Sequence, residues 1–66
     1  MYAIQNRKTK KFVYGTDYRY YPRHQRTAFD RVITYDSYES AKHDFIHRGC
    51  GKDYQIVAIK VETIDD

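Results

Sequence analysis

The sequence predicts a small α+β domain, in which one helix packs on one face of an antiparallel-dominated sheet of three or four strands. Three observations predict this fold class. Short runs of β-branched and aromatic residues lie on both sides of a capped helical segment, a polar turn separates the first two runs, and 66 residues are enough for one domain. A single helix over one face of a sheet is the simplest way to bury such apolar stripes. The expected order is β-β-(β)-α-β, in one domain over residues 1–66.

Four segments are predicted to be strands, because each combines β-forming residues with turn residues at its ends. They are residues 2–5, 12–14, 31–35 and 54–62. Residues 6–10 are polar and suit a hairpin turn between the first two strands. Residues 16–30 show no clean alternation around Pro22, so we expect a long loop there that can include an edge-strand fragment.

A helix over residues 37–48 is predicted by the signals at its ends. Asp36 and Ser37 are both good N-caps, and Glu39 follows Asp36 at the spacing of a capping box. Gly49 is the expected terminator, because glycine readily adopts the left-handed conformation that ends many helices. The boundaries of the helix therefore follow from local chemistry.

The apolar residues of the helix and the strands define an expected core. On the helix, Tyr38, Ala41 and Phe45 recur at the spacing of one face. Asp44 and Arg48 form an acid-first pair four residues apart, which supports a helix. The complete expected core is Ile4, Phe12, Ile33, Tyr38, Ala41, Phe45, Val57, Ile59 and Val61.

Composition favours an intracellular protein. Cys50 is the single cysteine, so no disulfide can form within the chain, which fits a reducing cytoplasm. The longest aliphatic run, at residues 56–59, is far shorter than the ~20 residues that span a bilayer. The first residues include the charged Arg7 and no hydrophobic stretch, so no secretion signal is expected. We therefore expect a cytoplasmic protein with no membrane partner.

Two candidate chemical sites are interpreted as structural. His43 and His47 have the i, i+4 spacing of a helical zinc motif, but Asp44 stands where that motif has its catalytic glutamate. Structural zinc takes four ligands, and Cys50 would supply at most a third. A nucleophilic cysteine also needs a base held at hydrogen-bond distance, and no residue is obviously placed to orient one beside Cys50. We therefore expect no enzyme activity, no metal and no cofactor.

Charge is distributed unequally along the chain. Residues 7–31 carry eight Lys and Arg against two acids, whereas residues 32–66 carry four against seven. The whole chain has a formal net charge of +3 and a pI near 9.1. A basic half of this kind favours an acidic or nucleic-acid partner.

The strongest candidate site is the basic, tyrosine-rich segment at residues 18–26. Arginine binds phosphate through a bidentate fork and tyrosine faces stack on bases, while the same two residue types are enriched at protein interfaces. The opposing interpretation is an edge strand that its arginines merely keep soluble. A connection longer than the fold needs favours function. The predicted binding residues are Tyr18, Arg19, Tyr20, Tyr21, Arg23, His24 and Arg26.

Four stretches set the organisation of the chain: an opening MYAIQN strand, a TKKFVYGTD return, a SYESAKHDFIHRG helix and a DYQIVAIKVE final strand. In this organisation, which covers most of its length, the chain resembles the very small accessory proteins encoded by bacteriophages of Gram-positive hosts. The resemblance implies a stoichiometric inhibitor of host machinery, as anti-CRISPR and other anti-defence proteins are. The basic charge departs from the acidic DNA mimics in this group and argues against simple DNA mimicry.

Two hypotheses follow for function. The first is a non-enzymatic binding protein that docks residues 18–26 onto nucleic acid or a nucleic-acid-associated host protein. The second is a protein-only interaction module or homodimer that uses its sheet or an edge strand. Salt distinguishes them, because phosphate binding releases counterions and therefore weakens steeply as salt rises.

Overall fold

The protein folds as four strands and one helix, as a computed structural model describes for residues 1–20 and 23–60. The elements are β1 (Tyr2–Asn6), β2 (Phe12–Asp17), β3 (His24–Ala28), α1 (Tyr38–His47) and β4 (Tyr54–Ala58). Neighbouring strands pair antiparallel in the order β3-β2-β1-β4, so β3 and β4 are the edges of the sheet. Helix α1 lies mainly against β1 and β4. The predicted fold class and element order are confirmed.

The turn between β1 and β2 is organised by one side chain. Asn6 Oδ1 accepts hydrogen bonds from the backbone N–H of Lys8 at 2.9 Å and of Thr9 at 3.0 Å. A side-chain oxygen that holds two following amides is a common way to build a tight polar turn. The hairpin turn expected at residues 6–10 is therefore present.

Helix α1 begins at the N-cap Ser37. Its side chain accepts a hydrogen bond from the backbone N–H of Ser40 at 3.2 Å, which satisfies one of the free amides of the first turn. The capping box expected from Asp36 to Glu39 is wrong, because the N-cap position belongs to the next residue. At ten residues α1 is short, and the described part of the chain contains no helix long and apolar enough to cross a membrane.

The C-terminal end of α1 is a Schellman motif. Gly49 adopts a φ of 69°, and its N–H bonds the carbonyl of Ile46 at 3.1 Å. The N–H of Cys50 then bonds the carbonyl of Phe45 at 3.0 Å, which is the second bond of the motif. The predicted terminator is confirmed, and α1 with its two caps covers the predicted residues 37–48.

The third strand lies at residues 24–28 and not at the predicted 31–35. Within the predicted segment, Tyr35 exchanges two backbone hydrogen bonds of 2.9 Å with Tyr2 and forms an isolated bridge. The prediction of a strand at 31–35 was therefore wrong, although the segment does run beside the sheet.

Strand β2 has β3 as its partner over its whole length and β1 only at its start. Gln5 and Phe12 form the pair that joins β1 to β2, and the carbonyl of the next residue, Val13, accepts a hydrogen bond from the N–H of Ile33 at 3.2 Å. A β-bulge between Val13 and Gly15 shifts the register of β2 against β3. The edge-strand fragment expected within residues 16–30 is confirmed as β3, whereas the expectation of a long loop there is wrong.

Hydrophobic burial is centred between the sheet and α1. The buried apolar residues are Ala3, Ile4, Val13, Ala41 and Cys50. Tyr35, Phe45 and Tyr54 pack against Ile4, Val13 and Cys50 while they remain half-buried. The predicted core positions Ile4 and Ala41 are confirmed, and Phe45 joins the core at its margin.

Two predicted core positions are wrong. Tyr38 is 51% exposed, and its ring meets the edge of the Tyr2 ring with centroids 5.8 Å apart. On β2 the buried residue is Val13, because the pairing with β1 turns Val13 toward Ile4 and leaves Phe12 half-buried on the other face. Half-burial is also found for Ile33, Val57 and Ile59. Val61 lies outside the described residues.

Candidate nucleic-acid interface

The predicted binding segment forms the hairpin between β2 and β3. Three cross-strand pairs build this hairpin: Gly15 with Arg26, Thr16 with Gln25, and Asp17 with His24. Because side chains alternate along a strand, Asp17, His24 and Arg26 share the face turned away from α1, whereas Thr16 and Gln25 face α1. We call residues 17–20 and 23–26 the β2–β3 tip.

Helix α1 anchors the tip through its C-cap residue, Arg48. Arg48 Nη1 donates to Thr16 Oγ1 at 2.8 Å, and Gln25 Nε2 donates to the backbone carbonyl of Arg48 at 2.6 Å. Thr16 Oγ1 in turn donates to Gln25 Oε1 at 2.7 Å. These three bonds link β2, β3 and the end of the helix in one closed ring.

The anchoring arginine is itself held by Asp44, which also accepts a hydrogen bond from Tyr35. Arg48 Nε donates to Asp44 Oδ2 at 2.5 Å, and the Tyr35 hydroxyl donates to the same carboxylate. Burial alone would raise the pKa of Asp44, but the hydrogen bonds from Arg48 and Tyr35 outweigh it and lower that pKa. Burial, followed by the bond to Asp44, raises the pKa of Tyr35 to about 12. Asp44 therefore stays ionised and the hydroxyl stays protonated at neutral pH.

Asp17 organises the charges of the tip. Its carboxylate accepts hydrogen bonds from the backbone N–H of Arg19 at 3.0 Å and from Arg19 Nη2 at 2.7 Å, and Arg26 Nη2 lies 3.8 Å away. The Arg19 hydrogen bonds hold the pKa of Asp17 well below its usual range. The side chains of Arg19 and Arg26 nevertheless remain 77% and 56% exposed. Asp17 therefore orients both guanidiniums while most of each stays accessible to a ligand.

Tyr20 and His24 form a flat stack at the end of the hairpin. Their ring centroids lie 4.5 Å apart, and the planes differ by 8°. The Arg19 guanidinium lies 5.9 Å from the Tyr20 ring, within cation–π range. Tyr20 is 50% exposed, so the contact with His24 leaves much of the side chain open to solvent.

Tyr18 lies between an arginine of the tip and the end of the helix. The Arg23 guanidinium lies 5.3 Å from the centroid of the Tyr18 ring. The ring of His47, at the end of α1, has its centroid 6.3 Å from that of Tyr18. Arg23 also passes close to Gly49, where an added Cβ would come within 3.4 Å of its Nη1. Tyr18 remains 52% exposed.

The structure places the described members of the predicted binding segment in two groups at the hairpin: Tyr18 and Arg23 beside the end of α1, and the others around Asp17 and His24 on the opposite face. It also adds two residues. Tyr18, Arg19, Tyr20, Arg23, His24 and Arg26 lie at the tip, and Tyr21 lies outside the described residues. Asp17, which orients two arginines, was not predicted, although a carboxylate directly before an arginine-rich run is a signal for it. His47 was not predicted either, because its approach to Tyr18 depends on tertiary packing.

The two histidines considered for zinc have different surroundings. His43 lines a shallow depression with Tyr35, Glu39 and Asp44, whereas His47 faces Tyr18. Among residues 1–20 and 23–60, no group of three or more His, Cys, Asp or Glu side chains is placed to hold a metal ion.

Cys50 has the properties of a packed core residue. Its side chain is buried beside Ile4 and Val13, and burial raises the pKa of the thiol to about 11. A nucleophilic cysteine needs a lowered pKa, because the thiolate is the reactive form. The environment of Cys50 therefore disfavours reactivity.

No family model, curated protein or solved structure matches this chain.

Proposed function

We propose that this chain is a small non-enzymatic binding protein that binds nucleic acid, free or within a nucleoprotein complex, through the β2–β3 tip. The observation that supports this proposal most is a pair of arginine–tyrosine contacts, Arg19 over Tyr20 and Arg23 over Tyr18, in which both tyrosines stay half-exposed. Arg26 adds a third cation beside Asp17. Nucleic-acid surfaces without sequence preference combine cations that follow the phosphates with aromatic rings on which bases stack. The tip supplies both components.

The charge of the tip supports a polyanionic partner. Three arginines stand against the single carboxylate of Asp17. Arg23 has no carboxylate within ion-pair distance among the described residues, so its fork is available to a phosphate. Arg19 and Arg26 are oriented by Asp17, which lowers the side-chain entropy that binding would cost.

The rigidity of the tip supports binding by a preformed surface. The hydrogen-bonded ring of Arg48, Thr16 and Gln25 fixes the hairpin against α1. A base that stacks on Tyr20 opposite His24 would displace the Arg19 guanidinium from that ring and free it for a phosphate, and base–aromatic stacking contributes roughly 1–3 kcal/mol per base. A preformed stack gains more of that energy, because less ordering is needed on binding.

The resemblance to phage accessory proteins supplies the biological direction of the proposal. It suggests a phage-encoded protein acting in the cytoplasm of a bacterial host, where it inhibits a nucleic-acid-handling defence complex by occupancy, as anti-CRISPR proteins do. The single cysteine is consistent with a reducing compartment.

The experiment is a salt series of nucleic-acid binding, with a matched control. Fluorescence anisotropy with labelled single-stranded and duplex oligonucleotides, from about 50 to about 200 mM salt, gives the slope of log K against log salt. Replacement of Arg19, Arg23 and Arg26 by Gln should flatten that slope, by ~0.9 on duplex DNA for each lost phosphate contact.

The control replaces Lys8, Lys10 and Lys11 by Gln. These cations belong to the turn at the opposite end of β2, and the change in net charge is the same. We expect the control to keep most of the affinity and the slope. Equal weakening of both variants would show general charge attraction and would contradict a site at the tip.

A protein-only interaction module or homodimer is the second candidate, and one observation favours it. Strand β4 is an edge of the sheet, and the large apolar side chains of Tyr38 and Ile46 are exposed on the neighbouring helix. A protein partner predicts weak salt dependence and individual residues that each cost ~2 kcal/mol or more on truncation. The salt series therefore separates the two candidates.

A further inference from the structure

A second surface lies at the opposite side of the sheet, between α1 and the edge strand β4. Tyr38, Phe45 and Ile46 of the helix and Ile56 of the strand line a groove there, which we call the α1–β4 groove. Ile46 is 67% exposed although it is aliphatic. Exposed apolar side chains grouped in a depression are a feature of interaction surfaces.

The edge of β4 beside this groove offers unpaired backbone groups. The N–H of Ile59 bonds the carbonyl of Met1, and the carbonyl of Asp53 accepts from Arg7, so odd-numbered residues of this segment point their backbone groups toward β1. Ile56 and Ala58 therefore direct their N–H and C=O groups outward, where no other described strand pairs with them.

Tyr54 differs from these two residues because its outward groups are already used. Its N–H bonds the carbonyl of Gly51 at 3.0 Å, and its carbonyl accepts from Arg7 Nε at 3.1 Å. The open part of the edge is thus a short stretch centred on Ile56 and Ala58. That stretch has the length for one added strand of a few residues.

The charge around the groove specifies its occupant. Among the described residues, Arg7 and Lys42 are the charged side chains that line it, and none of the carboxylates in that part of the chain does. Within residues 1–20 and 23–60, neither cation has an ion-pair partner. The corresponding groove of a second copy is lined by the same two cations, so its described residues offer them no opposite charge.

We propose that the α1–β4 groove binds an extended acidic segment of a partner protein, which adds to β4 as a fifth strand. The backbone of that segment pairs with Ile56 and Ala58, its apolar side chains enter the groove beside Ile46, and its carboxylates reach Arg7 and Lys42. Strand addition of this kind derives affinity from main-chain bonds and specificity from the side-chain positions.

The test uses two blocked octapeptides as probes, one alternating isoleucine with glutamate and one alternating isoleucine with lysine. Binding is followed by amide hydrogen exchange on the whole chain. The glutamate peptide should slow the exchange of the Ile56 and Ala58 amides and bind about tenfold more tightly than the lysine peptide. Arg7→Glu with Lys42→Glu should reverse that preference.

The control is the variant with Gln at Arg19, Arg23 and Arg26, which lowers the net charge by three at the other edge of the sheet. It should keep the peptide preference, which separates this proposal from the one for the tip. Protection of the two amides without peptide would overturn the proposal. If sedimentation then shows a dimer, a second copy of the chain occupies the edge of β4. If removal of residues 61–66 exposes the amides, that segment of the same chain occupies the edge. Equal binding of both peptides, or no protection by either, would overturn it as well.

Discussion

The guanidinium of Arg48 joins the end of helix α1 to strand β2 through a 2.8 Å hydrogen bond from Nη1 to Thr16 Oγ1. The same side chain donates to Asp44, four residues earlier in the helix, and this ion pair holds the guanidinium in place. The guanidinium therefore holds the β2–β3 tip against the helix together with the bond from Gln25 Nε2 to the backbone carbonyl of Arg48.

Replacement of Arg48 by Met should release this anchor while it keeps most of the apolar stem. Loss of a fully buried ion pair costs 3–5 kcal/mol, and because these side chains are 18% and 25% exposed we expect a loss of about 1–2 kcal/mol. Urea unfolding measures the change. Arg31→Met, at an exposed position over the Tyr14 ring, should stay within about 0.5 kcal/mol. Equal effects would contradict the anchoring role of Arg48.

Two neighbouring helix residues test the orientation of α1. Phe45 packs against the core but is half-buried, so Phe45→Ala should cost about 2–3 kcal/mol, less than the 3–5 of a fully buried Phe. Ile46 is 67% exposed, so Ile46→Ala should cost under about 0.5 kcal/mol. Chemical denaturation of the two variants measures the difference. A reversed order would show that the helix face is wrongly assigned.

The two glycines around Cys50 test the helix terminus. Gly49 has a φ of 69° and lies against Arg23, so Gly49→Ala is strained by about 1 kcal/mol or more. For a domain of this size that lowers the Tm by about 4–8 °C. At Gly51 an added Cβ meets no atom within 4 Å, and φ is not in the left-handed region. Gly51→Ala should therefore leave the Tm nearly unchanged, and an equal fall for both would count against the Schellman cap.

Alkaline pH should destabilise the fold through the buried Cys50 and the half-buried Tyr35. Burial raises the pKa of Cys50 from 9.0 to about 11, and burial with the bond to Asp44 raises that of Tyr35 from 10.0 to about 12. The folded state favours both neutral forms, so their contribution is complete below about pH 9 and is lost as pH rises toward 11 and 12. Urea midpoints from about pH 8 to about pH 12 measure this loss. Cys50→Ala with Tyr35→Phe should flatten the decline, and an unchanged decline would refute the assignment.

Local chemistry explains which parts of the fold could be predicted from sequence. The ends of α1 depend on Ser37 and Gly49, whose side-chain and backbone preferences act within a few residues. The β1–β2 turn depends on Asn6 in the same way. These elements were predicted to within one residue.

Long-range pairing explains what could not be predicted. Strand β3 reads HQRTA and lacks an apolar stripe, because an edge strand can be held by backbone pairing without burying one face. Strand β2 leaves β1 after Phe12, and Tyr35 pairs with Tyr2 further along β1. Neither event leaves a local signal, so the more apolar segment at residues 31–35 was mistaken for the strand.

The composition of the tip was predictable, but its geometry was not. A run of tyrosines and arginines is visible in the sequence, whereas the stack of Tyr20 on His24 and the contact of Tyr18 with His47 follow from the register and the bulge. The orientation of Arg19 and Arg26 by Asp17 likewise requires the hairpin.

The central claim, that the β2–β3 tip binds nucleic acid, is tested most directly by an NMR titration of the isotope-labelled chain with a short oligonucleotide. We predict that the amide signals of residues 17–20, 23–26 and 47–49 shift together and saturably, and that the shifts shrink as salt is raised from about 50 to about 200 mM. The signals of β4 and of the α1–β4 groove should stay in place. Shifts centred on that groove, or no shifts at about 50 mM salt, would contradict the account.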